Sequence, residues 1–343
     1  MSPVAFEILF AGWLAALGLV IGSFLNVVIA RVPAGESIVR PRSKCPRCGH
    51  QLSWYENIPV LSWIALRAKC KGCRAPISAR YPLVELLTGG LFVLALWRFD
   101  WTWALVLALM LIVLLIPLAL IDAEHWILPE EITLPGIALG VLLSIPLGWE
   151  RVQGALWGVV VGFLAFRLME YAGWKVFGKE ALGGGDKFLL ALLGAFLTYR
   201  GLLGIVLLAS LQGALFGIAS LLVTGRAGPA LAATDGAPAG DGGPPDAAAP
   251  DEDEPPLTMS WDFLQPGLPW WKRLLILPLS LLWQPIPDEP VDEGGEAVEW
   301  QPGATNMPFG PWLALSGLEL MLLGPLLARW LPAELGWLFG PVG

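Results

Sequence analysis

Residues 101–122 read WTWALVLALMLIVLLIPLALID, a run of 21 uncharged residues that ends at Asp122. About 20 apolar residues in a helix, each adding about 1.5 Å, span the hydrocarbon core of a bilayer. Two further runs, Ile8–Ala30 and Leu202–Gly225, are also free of charge and of similar length. These three stretches predict helices that cross a membrane.

The composition of the whole chain agrees with several such helices, because 56% of its 343 residues are hydrophobic and only 15% are charged. The apolar runs do not alternate every second residue, as the roughly ten-residue strands of a membrane barrel do. We therefore predict an all-α polytopic membrane protein with about eight transmembrane helices. Their expected positions are 8–30, 83–97, 101–121, 132–148, 154–174, 187–199, 202–224 and 311–331. Segment 187–199 is short for a full crossing, since it reaches only about 20 Å.

Acidic residues are concentrated in one segment, residues 227–308. That segment carries 14 acidic and 2 basic side chains, which leaves +4 for the rest of a chain whose net charge is −8. Its first part, residues 227–260, is rich in Ala, Pro, Gly and Asp and is predicted to be disordered. A short apolar stretch near 269–285 begins with two Trp and two basic residues, so we expect it at the membrane surface. Nothing in this charge pattern indicates nucleic-acid binding.

Basic residues set the predicted orientation in the membrane. Residues 31–82 hold ten Lys or Arg and only two acidic residues, so this loop is expected on the cytoplasmic side. Counting crossings from there places loops 122–131 and 175–186 on the same side. The predicted organisation is a first helix in 1–31, a cytoplasmic loop domain in 32–82, a membrane core in 83–226, a cytoplasmic insert in 227–308 and a last helix with its tail in 309–343.

The four cysteines form two Cys-x-x-Cys pairs, Cys45 with Cys48 and Cys70 with Cys73. Each pair can present two thiolates from one tight turn, and two such turns complete the tetrahedral site that zinc prefers. Four sulfur ligands leave no open coordination position, so the ion is predicted to be structural. The competing interpretation is a pair of disulfides, which the reducing cytoplasmic side disfavours. The predicted fold therefore includes a small cytoplasmic zinc-binding loop domain.

Two isolated carboxylates stand at the ends of predicted helices. Asp122 closes the run quoted above, and Asp186 follows three glycines, Gly183–Gly185, and opens the next apolar segment. Each has an ordinary interpretation: Asp122 is a solvated helix end, and Asp186 is an N-cap that accepts backbone N–H groups. Charged groups at membrane helix ends are costly, however, and by default they mark function. Two acids on one predicted face of the membrane favour acid/base chemistry on water, and therefore hydrolysis.

Further sequence blocks accompany these acids in a fixed order. They are Gly22–Val28 with Arg31–Pro33, the two cysteine pairs with Trp54–Pro59 between them, Arg80–Glu85, Ile121–Asp122 with Leu128–Pro129, Gly183–Asp186, and Pro308–Pro311. With these blocks the chain resembles the bacterial type IV prepilin peptidases, intramembrane aspartic proteases of the GxGD type. The resemblance covers nearly the whole chain apart from the insert at 227–300.

This resemblance implies a reaction and the residues that perform it. Asp122 and Asp186 would be the catalytic carboxylates, supported by Gly183, Gly185 and Lys187. The substrate would be the short basic leader of a type IV prepilin or pseudopilin, cut at the cytoplasmic face of the bacterial inner membrane. The two acids would share one proton, because close like charges cannot both ionise cheaply.

Many members of the family also N-methylate the new amino terminus with S-adenosylmethionine. The resemblance links that activity to the cysteine region and to the Gly22–Asn26 and Glu56–Asn57 blocks, so Glu56 and Asn57 are polar candidates for methyl transfer. No glycine-rich nucleotide loop at a strand–helix turn identifies a cofactor site from the sequence itself.

The chain departs from the family pattern next to the second acid. The family places a lysine two residues after the second catalytic Asp, whereas here Lys187 follows Asp186 directly and Phe188 takes the usual lysine position. On a helix this shift turns the side chain by about 100°.

Three other functions fit parts of the sequence. A non-enzymatic membrane scaffold of a pilus or secretion assembly would keep the helices and the zinc loop but need neither Asp. A membrane thiol–disulfide protein would use the Cys-x-x-Cys pairs, although on the outer face. A transporter could use the intramembrane Glu85, Gln212 and Glu319, but no inverted repeat supports it.

Overall fold

The computed structural model describes residues 3–177, 183–224, 307–330, 332 and 338. Regular structure in these ranges is helical apart from two isolated β-bridges. The helices are α1 (Pro3–Arg31), α2 (Leu61–Ala65), α3 (Arg80–Phe99), α4 (Trp103–His125), α5 (Glu130–Ser144), α6 (Trp149–Phe177), α7 (Asp186–Thr224) and α8 (Gly310–Ala328), with 3₁₀ turns at Trp54–Asn57 and Ile145–Leu147. Seven of them, all except α2, are long and apolar enough to cross a membrane. The predicted all-α, multi-pass fold is confirmed.

Helix α7 accounts for the difference between seven helices and the eight predicted segments. It contains 39 residues, far more than a bilayer core requires. Thr198 interrupts it with φ 63° and ψ 170°, which are not helical angles. The two arms on either side of Thr198 correspond to the predicted segments 187–199 and 202–224.

Packing against α8 indicates that the chain reverses at Thr198. The contacts are, in the first arm, Leu193 with Gly317 and, in the second arm, Gly201 with Leu320 and Gly213 with Trp312. Residue numbers along α8 fall as those along the second arm rise, so these two helices are antiparallel. The first arm starts near the beginning of α8 and meets the middle of α8 seven residues later, so it is parallel to α8. The first arm is only 12 residues long, about 18 Å.

Glycines bring α6 and the first arm of α7 into backbone contact. Gly154, Gly158 and Gly162 recur every four residues along one face of α6. A Cβ at Gly158 would overlap the carbonyl oxygen of Gly194, and one at Gly162 would lie 2.6 Å from the oxygen of Leu190. Small residues at this spacing let membrane helices approach closely. The arm that begins with Asp186 is therefore held firmly against α6.

Helices α1 and α3 pair in the same way. A Cβ added at Gly18 would lie 2.7 Å from the Cα of Gly89, and one at Gly22 would lie 2.7 Å from the Cα of Glu85. The close approach explains, in physical terms, why a glycine stands at the beginning of the Gly22–Val28 block.

Helix α4 lies at the centre of the helical core. Its residues Leu111, Ile112, Leu115, Leu118 and Ile121 are completely buried. Helices α1, α3, α5, α7 and α8 all pack against it. The apolar run 101–121, which is long enough to cross a membrane, is thus largely covered by other helices of the protein. The last turn of α4 lies inside the bundle.

The loop between α1 and α3 is tied to the membrane helices. The backbone N–H of Val60 donates to Glu85 Oε2 of α3 at 2.7 Å. Val60 itself has φ 59°, an uncommon conformation for a β-branched residue, so this partly buried hydrogen bond fixes a strained turn. Trp63 Nε1 donates to the carbonyl of Ile77 at 3.1 Å and closes the loop on itself.

Some predictions fall outside the described residues. They concern the acidic insert as far as residue 306, its disordered part at 227–260 and the surface stretch near 269–285. Among the described helices the largest boundary differences are five residues, at the start of α1, which begins at Pro3 rather than 8, and at the start of α6, which begins at Trp149 rather than 154.

Candidate functional site

Asp122 lies on the last turn of α4, and this turn is buried inside the helical bundle. Its residue is only 6% exposed. Trp126 ends the helix in a left-handed conformation and donates its N–H to the carbonyl of Asp122 at 3.0 Å. The side chain faces the start of α8, so a Cβ at Gly310 would lie 2.5 Å from Asp122 Oδ2. Oδ2 is buried and has no hydrogen-bond partner among the described residues.

Asp186 is the first residue of α7 and is 4% exposed. Its carboxylate is within electrostatic reach of Asp122. The alternative N-cap interpretation requires a backbone N–H that donates to the Asp186 carboxylate. No backbone N–H of the described residues does so. The structure therefore brings together two buried acids from helices that are more than 60 residues apart in sequence.

The three glycines before Asp186 have different surroundings. A Cβ at Gly185 would lie 2.7 Å from the Cβ of Leu128, which belongs to the segment after α4. A Cβ at Gly183 would lie 3.5 Å from Asp186 Oδ2, an ordinary contact at the edge of the carboxylate. At Gly184 the nearest atoms are 3.9 Å away or more, and they are the flexible ends of Lys187 and Glu170. Only Gly185 is sterically required by the described neighbours.

We expect Gly185→Ala and Gly184→Ala to differ sharply. The methyl group at position 185 must push Leu128 away, and this displaces the segment that follows Asp122. The methyl group at position 184 meets only ordinary contacts. Cleavage activity of purified protein should fall at least about tenfold for Gly185→Ala, which corresponds to about 1.4 kcal/mol, and remain near the original level for Gly184→Ala. Equal losses in both variants would contradict this assignment.

A buried ion network adjoins Asp186. Glu170 of α6 accepts a hydrogen bond from Arg167 Nη1 at 2.8 Å and pairs with Lys187 Nζ at 3.5 Å. Arg167 and Glu170 are 8% and 4% exposed. The charge of Glu170 also reaches Asp186. The Lys187 side chain thus pairs with Glu170. This lysine lies one residue earlier in the sequence than the family pattern places it.

The sequence analysis missed Arg167 and Glu170. A usable signal was present, because both are ionisable residues within the predicted membrane segment 154–174, and such residues are costly unless they pair. Their spacing of three residues also places them on one face of a helix.

The four cysteines lie in two turns of the same design. Cys45 N–H donates to the carbonyl of His50 and Cys70 N–H to that of Ala75, so each turn closes over an equal span. One isolated antiparallel bridge flanks each turn, Lys44 with Gln51 and Lys69 with Pro76. The two Cys-x-x-Cys pairs therefore form two equivalent knuckles.

The sulfurs of these knuckles are gathered at one point. All four ligand atoms lie within 4.8 Å of one another. The Sγ atoms of Cys45 and Cys73 are 3.9 Å apart, as are those of Cys48 and Cys70. Zinc at about 2.3 Å from each sulfur of a tetrahedron requires sulfur separations of roughly 3.8 Å. All four cysteines are free rather than disulfide-bonded. Backbone N–H groups of Cys48 and Arg47 lower the pKa of Cys45 to about 6, whereas burial and the neighbouring thiols raise the pKa of Cys48 to about 11.

Glu56, a candidate for methyl transfer, is buried beside the knuckles. Its carboxylate accepts the N–H of Ser53 at 2.8 Å and lies 3.2 Å from His50 Nε2 and 3.9 Å from Lys71 Nζ. The Ser53 N–H and His50 lower the pKa of Glu56 and stabilise its ionised form. Both carboxylate oxygens are therefore engaged with the loop itself. Asn57 is exposed.

Two family models match the chain. The Bacterial Peptidase A24 N-terminal domain matches residues 16–99, which include the second half of α1, the knuckles and α3. The Type IV leader peptidase family matches residues 105–218, which include Asp122 and Asp186.

Related proteins match over most of their length. A protein of Myxococcus xanthus (strain DK1622) is 62% identical over 98% of this chain and 97% of its own. Proteins of Stutzerimonas stutzeri and Neisseria gonorrhoeae are each 38% identical, over 64% and 63% of this chain and 86% and 85% of their own. All three are named prepilin leader peptidase/N-methyltransferase. No solved structure matches the chain. With two successive family models and a relative that is similar from end to end, the chain belongs to the type IV leader peptidase family.

Proposed function

We propose that this protein is an aspartic endopeptidase that removes the basic leader of type IV prepilins or pseudopilins, and that Asp122 and Asp186 are its catalytic residues. The observation that carries the proposal is the meeting of these two buried carboxylates inside a helical membrane bundle. The names of the relatives supply the substrate class. The basic loop 31–82 supports a location at the cytoplasmic face of the bacterial inner membrane. The proposal keeps the division into regions 1–31, 32–82, 83–226, 227–308 and 309–343.

The chemistry follows from two acids that share one proton. The ionised carboxylate takes a proton from water, and the resulting hydroxide attacks the scissile carbonyl. When the tetrahedral intermediate collapses, the C–N bond breaks and the departing amine takes that proton from the carboxyl group. The protonated carboxyl donates a hydrogen bond to that carbonyl oxygen and stabilises the charge that develops there. Glycine at position 183, beside the Asp186 carboxylate, leaves space for an extended substrate backbone to approach that acid.

Methyl transfer to the new amino terminus forms the second part of the proposal. S-adenosylmethionine supplies the methyl group: the amine nitrogen bonds to the methyl carbon as the C–S bond breaks, sulfur keeps the electron pair, and the amine releases a proton. Glu56 and Asn57 remain candidates for this activity. The engaged carboxylate of Glu56 supports a role in shaping the loop, whereas Asn57 is exposed.

Incubating the purified protein with a prepilin, with and without S-adenosylmethionine, tests both activities. Mass spectrometry should detect removal of the leader in both reactions and a mass increase of one methyl group only in the second. An uncut prepilin would refute the peptidase and favour the non-enzymatic scaffold. Cut but unmethylated product would refute the methyl transfer alone.

The knuckles are proposed to hold one structural zinc ion through Cys45, Cys48, Cys70 and Cys73. We expect reduced, purified protein to contain about one zinc per chain, because four thiolates fill its tetrahedral coordination. Cys70→Ser should remove the metal and make the loop sensitive to proteases, since Cys70 is the most buried ligand. Ser43→Ala, just outside the first knuckle, is the matched control and should retain zinc. Metal-free reduced protein with an intact loop would argue for the thiol–disulfide alternative.

A further inference from the structure

The short helix α2, in the loop between α1 and α3, presents an exposed apolar face. Its residues Leu61 and Ile64 are 65% and 60% exposed. Residues three positions apart lie on the same side of a helix, so these two side chains form one apolar surface. Trp63 is held by the loop instead, because its Nε1 donates to the carbonyl of Ile77 at 3.1 Å. Neither the two candidate catalytic acids nor the four cysteines belong to this face.

The start of α2 lies beside the membrane helices rather than beyond their ends. Val60, which precedes α2, donates its N–H to Glu85 Oε2 of α3 at 2.7 Å. The backbone of Glu85 is level with Gly22 of α1, where an added Cβ would lie 2.7 Å from the Glu85 Cα. From Gly22 the uncharged part of α1 continues for eight residues to Ala30, which is about 12 Å. The Glu85 side chain leans back toward the start of α3 but is too short to recover all of this distance.

The loop that carries α2 has a cationic surface. Only one acidic residue of the loop, Glu36, is exposed, because Glu56 is buried beside His50 and Lys71. Eight basic residues of the loop are exposed: Arg40, Arg42, Lys44, Arg47, Arg67, Lys69, Lys71 and Arg74. Basic residues clustered next to a membrane helix attract anionic lipid headgroups.

We propose that α2 docks on the membrane itself, with Leu61 and Ile64 among the lipid acyl chains and Arg67 and Lys69 at anionic headgroups. Depth favours this occupant, because an exposed apolar face next to membrane-spanning helices is suited to lipid. Charge favours it as well, since the same basic residues would repel a basic leader peptide. The inference concerns the loop domain alone and does not depend on the proposed cleavage of prepilins.

Photolabelling of the full-length protein in lipid nanodiscs tests this docking. One probe is a phospholipid with a diazirine on its acyl chain, and the other is a water-soluble diazirine. Mass spectrometry measures how much of each probe attaches to Leu61–Ala65, and the ratio of lipid label to aqueous label reports how much of α2 is docked. We expect lipid label to predominate on this helix.

Val39 provides an internal reference in the same loop. It is 78% exposed and apolar, like the α2 face. It lies just beyond the end of α1, because Arg31 donates to the carbonyls of Ser37 and Pro41 on either side of it. We therefore expect aqueous label to predominate on Val39.

A double variant, Leu61→Asn with Ile64→Asn, removes the apolar face. The ratio of lipid to aqueous label on α2 should fall at least about tenfold, because two apolar side chains no longer enter the acyl layer. Both side chains are largely exposed, so the loop should keep its fold, and its resistance to protease in detergent checks this. Val39→Asn is the matched control and should leave the ratio on α2 unchanged.

Lipid composition tests the contribution of charge. In an equal mixture of phosphatidylcholine and phosphatidylglycerol the ratio should exceed that in phosphatidylcholine alone, by about fivefold for each basic residue at the surface. Arg67→Gln with Lys69→Gln should lose most of this gain. Arg329→Gln, at the far end of α8, should retain it.

Several results would overturn the proposal. Predominantly aqueous label on α2 would show that its apolar face meets water. Protection from both probes would show that a partner protein, a second copy or another part of the chain covers the face. An unchanged ratio in the Leu61 and Ile64 variant would show that these side chains do not dock. A ratio that is the same in both lipid compositions would remove the assigned headgroup contacts of Arg67 and Lys69.

Discussion

Asp122→Asn and Asp186→Asn are each expected to reduce prepilin cleavage by roughly a hundredfold to ten-thousandfold, or more, because an amide can neither accept the proton of water nor supply one to the carbonyl. Both positions are almost fully buried, and asparagine has nearly the same size as aspartate, so the helical bundle should be retained. The loss should therefore appear in the rate of cleavage rather than in the amount of protein in the membrane.

The matched control is Asp100→Asn, a carboxylate just after α3 and outside the candidate site. It should cleave at the original rate. A double variant of Asp122 and Asp186 should be little worse than either single variant, because residues that act as one unit are not additive. Cleavage at the original rate in Asp122→Asn or Asp186→Asn would sink the proposed dyad while leaving the family assignment intact.

The parts of the fold that the sequence predicted well are those governed by local rules. The run 101–121 was assigned from length and lack of charge, and the corresponding helix α4 is present. The two cysteine pairs were assigned from spacing, and their four sulfurs meet. The pairing of Asp122 with Asp186 could be expected only after both were assigned to one face of the membrane, which required the charge of loop 31–82.

Other features depend on how helices are rotated and bent, which spacing alone does not determine. The predicted segments 187–199 and 202–224 place a break at residues 200–201, next to Gly201, whereas the non-helical backbone angles are found at Thr198. The partner of Lys187 is Glu170, and the partner of Arg80 is Glu124, in each case on a neighbouring helix. Such pairs form only once the helices are packed. For the insert at 227–308, composition predicts a disordered part and a stretch at the membrane surface, and both lie outside the described residues.

Gly158→Ala is expected to destabilise the folded bundle by at least about 1–3 kcal/mol, although alanine is the better helix former. The added methyl group would overlap the carbonyl oxygen of Gly194, and neither backbone can move without separating α6 from the first arm of α7. Because that arm begins with Asp186, cleavage should fall together with stability. Thermal unfolding in detergent, followed by Trp fluorescence, measures the first effect.

Gly90→Ala is the matched control because it makes the same change in another membrane helix, α3, at a position with no described atom within 4 Å of the added Cβ. There the methyl group meets open space, so the helix propensity of alanine should raise stability by about 0.5–1 kcal/mol. The two glycine-to-alanine changes are thus expected to have opposite signs. If Gly158→Ala were as stable as Gly90→Ala, the α6–α7 backbone contact could not be what holds Asp186 in position, and Arg167, Glu170 and Lys187 would have to hold it instead.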